Sequence, residues 1–218
     1  MVTYKVHLLR HGLTSGNREG RYIGRTDLPL CQEGKEQLEY LKQKYEYPRA
    51  DMVVSSPLRR CVQTADILYP DTYTETWPEF IEYDFGEFEG KSVEELKGVY
   101  RFQEWIEGGM AQAPPGGETH EQLTRRAAQG MNRLLQRMTQ DRLYSVALVT
   151  HGGLINLLLY GMGLPKRDIA NCSAANGCGF TVLMTPQMWM RDRAFEIYGI
   201  APYGMTEAEA MGGKRRAW

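Results

Sequence analysis

The chain has no apolar stretch near the ~20 residues that a membrane-spanning helix needs. It begins Met-Val-Thr-Tyr-Lys-Val-His, without the apolar segment of a secretory signal, so a cytoplasmic location is expected. Cysteine is scarce. Cys31, Cys61, Cys172 and Cys178 are scattered, form no C-x-x-C and have no histidine at zinc spacing. A disulfide framework and a zinc module are thereby excluded, and reduced structural thiols are expected. Neither charge dominates: 26 Lys and Arg face 27 Asp and Glu. That balance gives no reason to expect nucleic acid or an anionic membrane as a partner. Repeats, low-complexity tracts and interdomain linkers are missing too. Histidine is the last scarcity, with four in 218 residues, and the position of two of them matters.

What is present is an alternation of strand and helix patterns. "YKVHLL" (4–9) reads as a strand that runs into Arg10-His11-Gly12. "EGKEQLEYLKQKY" (33–45) has an amphipathic helical period, with Leu38 and Leu41 on one face. "DMVVSS" (51–56) is a short strand and "LRRCVQTADILY" (58–69) a helix stopped by Pro70, with a brief strand expected at 73–76. Residues 82–117 are irregular, with one or two short helices and a loop, "GGMAQAPPGG". A long helix is expected over 118–138, a buried strand over 144–150, then His151-Gly-Gly and an apolar helix. "CGFTVLMT" and "AFEIYGI" can close the sheet, and a tail from about residue 205 carries no readable structure. Such alternation implies an α/β fold with a mostly parallel sheet and helices on both faces, long enough for one domain.

In such folds ligands bind at the carboxyl ends of strands. Three ends carry groups suited to an anion: Arg10-His11-Gly12, Ser55 to Arg59, and Thr150-His151-Gly152. Arg10 and Arg59 offer planar, permanently charged forks. A helix starting near Gly152 would aim free N–H groups and its positive end at the same place. Taken singly these signals are weak, because a strand-end histidine is more often structural and an Arg-Arg pair is more often a solvated turn. Two matched His-Gly strand ends beside a third with arginine are hard to assign to chance.

"LLRHGLTSGN", "DMVVSSPLRRCVQTA", "EYDFGEFEG", "GGET" and "VTHGG", in that order over roughly residues 4–185, resemble the histidine phosphatase superfamily, which includes the cofactor-dependent phosphoglycerate mutases. The resemblance implies a three-layer α/β/α fold, phosphoglycerate mutase-like, with 82–117 as a lid-like insertion. It implies a phosphoric monoester hydrolase of the histidine acid phosphatase type, with His11 as nucleophile. Arg10, Arg59 and His151 would complete a cationic cradle, and Asn17 and the Gly152 N–H would add hydrogen bonds to it. Glu82 would be the general acid, its pKa raised by Asp84, Glu87 and the bound phosphate. No step calls for a metal or a cofactor.

Mutases differ in what surrounds these groups. They carry Trp before the residue matching Asn17, where this chain has Gly16, and Tyr22-Ile23-Gly24-Arg25 replaces their Phe-Thr-Gly-Trp. The 82–118 span lacks their paired arginines and lysine, which hold a second anionic group. Release and hydrolysis are therefore expected, on a small phosphomonoester of sugar, glycolytic or α-ribazole type. Tyr83, with Tyr22, Phe85 and Phe88, would line the mouth or pack in the core, and Ile23, Gly24, Arg21 and Arg25 would face the substrate. A mutase, and from another class a non-catalytic phospho-ligand binder, are the competing readings. The complete acid–nucleophile set argues against the second. The partner is a small molecule, with a homodimer left open.

Overall fold

The computed structural model describes residues 2–108 and 112–212. Part of the expected loop (109–111) and the end of the expected tail (213–218) lie outside the described residues. The strands are β1 (Tyr4–Arg10), β2 (Met52–Ser55), β3 (Thr74–Thr76), β4 (Ser145–Thr150), β5 (Gly163–Leu164), β6 (Gly179–Met184) and β7 (Phe195–Ala201). The helices are α1 (Ser15–Arg18), α2 (Gln32–Lys44), α3 (Arg59–Leu68), α4 (Val93–Leu96), α5 (Tyr100–Glu107), α6 (His120–Asp141), α7 (Gly152–Met162), α8 (Pro186–Asp192) and α9 (Glu207–Ala210). Strand order is β3-β2-β4-β1-β6-β7-β5. β1, β2, β3 and β4 run parallel, whereas β6 is antiparallel to both β1 and β7.

The period-two alternation of the central strands sorts side chains into two cores. Leu9, Val53, Ala147 and Val149 meet Leu38, Cys61 and Ala65 of α2 and α3. Val6, Leu8, Val54, Val146 and Leu148 form a larger core with Met131, Leu134, Leu154 and Leu158 of α6 and α7. Helices thus cover both faces, as the alternation predicts. Four-residue α1 and α9 are too short for a periodic signal; each is fixed by a capping box, from Thr14 and Thr206. The tail expected from residue 205 is accordingly ordered at its start, where Ala210 packs on Leu41 and Cys178.

His7 lies inside the sheet, with Nδ1 2.9 Å from Thr181 Oγ1 and Nε2 2.9 Å from Ser145 Oγ. Burial, reinforced by Lys5, lowers its pKa to about 4. The folded chain therefore refuses a proton that the unfolded chain accepts below about 6.5. Stability from this group is complete above that pH, declines as the pH falls toward 4 and then levels off. The drop in thermal midpoint between pH 7 and pH 4.5 is expected to be smaller in His7→Gln than in the unmodified protein. An equal drop in both would remove His7 as the cause.

Candidate active site

The register places the three strand ends at one edge of the sheet. Arg10 pairs with Thr150, and Ser55 with Val149, so the residues after β1, β2 and β4 leave the sheet side by side. His11 follows at once and is 4% exposed. Its N–H donates to the Thr150 carbonyl, and its carbonyl accepts from Asn176 Nδ2. Nδ1 lies 2.7 Å from the Gly12 carbonyl, which can only accept, so Nδ1 carries the hydrogen and Nε2 keeps its lone pair. Burial, then Arg60 and Arg10, hold the imidazole well below its ordinary pKa. The result is a neutral imidazole with a free nitrogen.

His151 caps α7, its ring centroid 5.2 Å from that of His11. Arg60 Nε donates to Nδ1 at 3.3 Å, so the other nitrogen, Nε2, holds the hydrogen and donates to Ser56 Oγ at 2.8 Å. Burial and Arg60 lower its pKa well below the usual value. His151 is thus an oriented neutral donor, and the positive charge of the cradle comes from arginines alone.

Which arginines differs from expectation. Arg59, at the first position of α3, is exposed, and its backbone N–H donates to Asp27. Arg60, 1% exposed, is the guanidinium turned into the site. Besides His151 it donates to the carbonyls of Thr26 and Gly24, both at 2.8 Å. Helix phase is the reason: Arg60, Cys61, Thr64, Ala65 and Leu68 are the buried residues of α3, and Arg59 falls off that face. Thr64, one turn on, accepts from the Gly12 N–H and donates to the Arg60 carbonyl, tying the turn after β1 to α3.

Arg10 donates through Nη1 to the Ala174 carbonyl, while its buried Nε–H has no protein partner. An unpaired buried donor on a cation is costly unless a ligand accepts from it, and an anion does so best. Gly152 passes so close that a Cβ there would lie 3.2 Å from the Arg10 guanidinium carbon. At Gly153 a Cβ would come within 2.8 Å of Glu82 Oε1. The two glycines let the N-terminus of α7 approach both groups without displacing either side chain.

Glu82, 7% exposed, accepts from the Gly153 N–H at 3.0 Å and from its neighbour Tyr83 N–H at 2.9 Å. Its pKa is raised by burial, against the two backbone hydrogen bonds and the pull of Arg60 and Arg10. The direction is the expected one, but burial causes it where Asp84 and Glu87 were expected to.

Asn17 turns its Oδ1 to Thr14 and, at 3.5 Å, to Asn176 Nδ2. Its NH2 is left as the uncommitted end. Gly24 donates to both oxygens of Glu89, and Ile23 packs on Gly16. Arg21, expected to face substrate, is instead tied to Glu19, Glu95 and the Gly90 carbonyl, because α4 brings Glu95 within 2.7 Å. Tyr83 and Phe88 belong to a packed aromatic cluster with Phe102 and Trp105 rather than to an open wall. Tyr22 and Phe85, only partly buried, form its outer side. Arg60, Ser56, Thr64 and Asn176 are the site residues that sequence reasoning missed. Helix phase could have found Arg60; for Asn176, far along the chain in a loop, no local signal exists. Among the described residues no group of three or more His, Cys, Asp or Glu could hold a metal ion.

The family model described as the histidine phosphatase superfamily (branch 1) matches residues 6–193. An uncharacterized phosphatase, PhoE, of Bacillus subtilis (strain 168) is 28% identical over 186 residues, 84% of this chain and 90% of that protein. The adenosylcobalamin/alpha-ribazole phosphatase of Escherichia coli (strain K12) is 26% identical over 180 residues, 80% of this chain and 87% of its own length. The crystal structure of a phosphoglycerate mutase from Bacillus anthracis str. Sterne superposes with a TM-score of 0.73 at 20% identity, covering 91% of this chain and 92% of that one. At that identity the likeness concerns the fold, which is phosphoglycerate mutase-like.

Proposed function

The chain belongs to the histidine phosphatase superfamily (branch 1), and from that premise we propose that it is a phosphomonoester phosphatase working through a phosphohistidine on His11. The observation that carries this reading is the neutral, buried His11, with Nε2 unprotonated, beside an Arg10 N–H that has no protein acceptor. Phosphoryl transfer is accelerated chiefly by positioning and charge stabilisation. Arg10, Arg60, His151, the Gly152 N–H and the Asn17 NH2 are the donors for the phosphoryl oxygens. The arriving dianion also offers His151 Nε2–H a stronger acceptor than the Ser56 hydroxyl.

His11 Nε2 forms a bond to phosphorus while the P–O bond to the leaving alcohol breaks. Glu82, whose protonated form burial favours, gives a proton to the leaving oxygen. Water then attacks the phosphohistidine and loses a proton to Glu82. The N–P bond breaks, phosphate leaves, and His11 and Glu82 return to their starting forms. Charge neutralisation rests on Arg10 and Arg60, so the reaction is read as metal-independent. The substrate class is a small phosphorylated metabolite, a sugar or glycolytic phosphate or one of the α-ribazole phosphate type. No helix of the described residues is long and apolar enough to cross a membrane.

A panel of phosphomonoesters incubated with the enzyme in EDTA, followed for phosphate release and for an acid-labile phosphoenzyme, tests the reading. Release with a trappable phosphoenzyme is expected. No release from any member would end the phosphatase assignment, and release abolished by EDTA would end the metal-independent one. Transfer between positions of a phosphoglycerate without net release would favour a mutase.

A further inference from the structure

Glu82 lies outside any α-helix or strand, in a segment that leaves the short 3-10 turn Pro78–Phe80. The Gly153 and Tyr83 N–H groups hold its carboxyl, but the backbone from which it projects needs an anchor of its own. Arg126, on the second turn of α6, reaches that segment. Its Nη1 donates to the carbonyls of Glu79 and Ile81, and its Nη2 to the carbonyl of Glu82 itself at 3.0 Å. The remaining donors engage Glu118, with Nη2 2.6 Å from Oε1 and Nε 3.2 Å from Oε2. Glu118 Oε1 also accepts from the Asp84 N–H, and the Glu118 N–H donates to the Asp84 carbonyl. The pair therefore grips the backbone on both sides of Glu82.

We propose that Arg126, anchored by Glu118, is a positioning residue that holds the Glu82 carboxyl in line with the leaving-group oxygen. A guanidinium suits the task because its planar fork serves several carbonyls at fixed angles, which an ammonium cannot do. General acid catalysis needs this accuracy, since the proton must lie within hydrogen-bond reach of the leaving oxygen. Thr150 Oγ1 donates to the Phe80 carbonyl from the other end of the segment. Arg126 holds the Glu82 carbonyl between that contact and the packed side chain of Tyr83. This inference rests on the acid role given to Glu82 above.

The leaving group separates positioning from a merely structural role. In Arg126→Ala, kcat for an alkyl phosphate such as glycerol phosphate is expected to fall about 10²-fold, near the lower end of what general acid catalysis contributes. KM should stay within about twofold, because Arg126 does not touch the phosphoryl donors. The p-nitrophenolate burst from p-nitrophenyl phosphate, whose leaving group needs little protonation, should stay within about threefold. Arg126→Lys, which keeps charge and helix, should show the same split at smaller size and decides the matter if the alanine variant does not fold. Equal losses on both substrates, or no loss on the alkyl ester, would overturn the proposal. Glu82→Gln is the control. A split there but not in Arg126 variants refutes the positioning role alone, whereas no split in Glu82→Gln refutes the acid assignment and the clamp with it.

Discussion

Arg60→Ala is expected to lower kcat/KM for phosphate release by about 10²–10⁴-fold, while Arg59→Ala stays within about twofold of the unmodified enzyme. Two adjacent arginines thus carry opposite expectations. Arg60 is buried and directs its Nε at His151, so its removal strips a permanent charge from the cradle and frees the imidazole that it orients. It also strands the Gly24 and Thr26 carbonyls, so a lower thermal midpoint should accompany the loss. Arg60→Lys separates the two effects. It restores the charge without the fork, and most of the rate should remain missing. Steady-state rates on one substrate, with thermal midpoints for all three variants, make the comparison. A larger loss in Arg59→Ala than in Arg60→Ala would reverse the assignment.

His11→Ala should reduce turnover on the order of 10⁴-fold or more and abolish the acid-labile phosphoenzyme, because no other imidazole offers an unprotonated nitrogen here. His151 cannot substitute. Its Nδ1 is occupied by Arg60, and its Nε2 carries a hydrogen. The side chain of His11 makes its one hydrogen bond to the adjacent Gly12 carbonyl, so the variant should fold. A second result follows from the depressed pKa of His11. An ordinary imidazole would be about nine-tenths protonated one unit below its pKa of about 6.5, with a matching loss of kcat/KM. Here kcat/KM, corrected for ionisation of the substrate, should hold nearly level from pH 7 to 5.5. A tenfold fall across that range, or a phosphoenzyme persisting in His11→Ala, would contradict the assigned nucleophile.

The central strands were legible because β1, β2 and β4 are apolar runs closed by residues that break regular structure. Their convergence at one edge followed from topology, which brought His11, Arg10 and His151 together as expected. Arg59 was misjudged because distance from a strand end says nothing about which way a helical side chain turns. Cys61, Ala65 and Leu68 mark the inner face of α3, and that face includes Arg60. Arg21 failed for a different reason: its partners Glu95 and Gly90 lie more than 65 residues away and carry no local mark. The raised pKa of Glu82 was read from charged neighbours, yet burial, a property of the whole fold, causes it. Tyr83 and Phe88 had two readings on composition alone, and packing against Trp105 places them in the core.

β4 is synthesised long after β1 and β2, yet it lies between them and pairs with both. Until it arrives the two earlier strands have no common partner in the sheet, and the Thr64 bond to the Gly12 N–H is left to link the helix of Arg60 to the turn that carries His11. Contacts so distant in sequence form late and slowly, after the large entropy of closing the intervening chain has been overcome. A ribosome-bound chain ending before Ser145 should therefore contain no assembled anion cup. Phosphatase activity should emerge in one step with the burial of β4 amides, which pulse-labelled hydrogen exchange during refolding can time against the return of turnover. The sheet order makes the enzyme's competence a late event in the life of the chain.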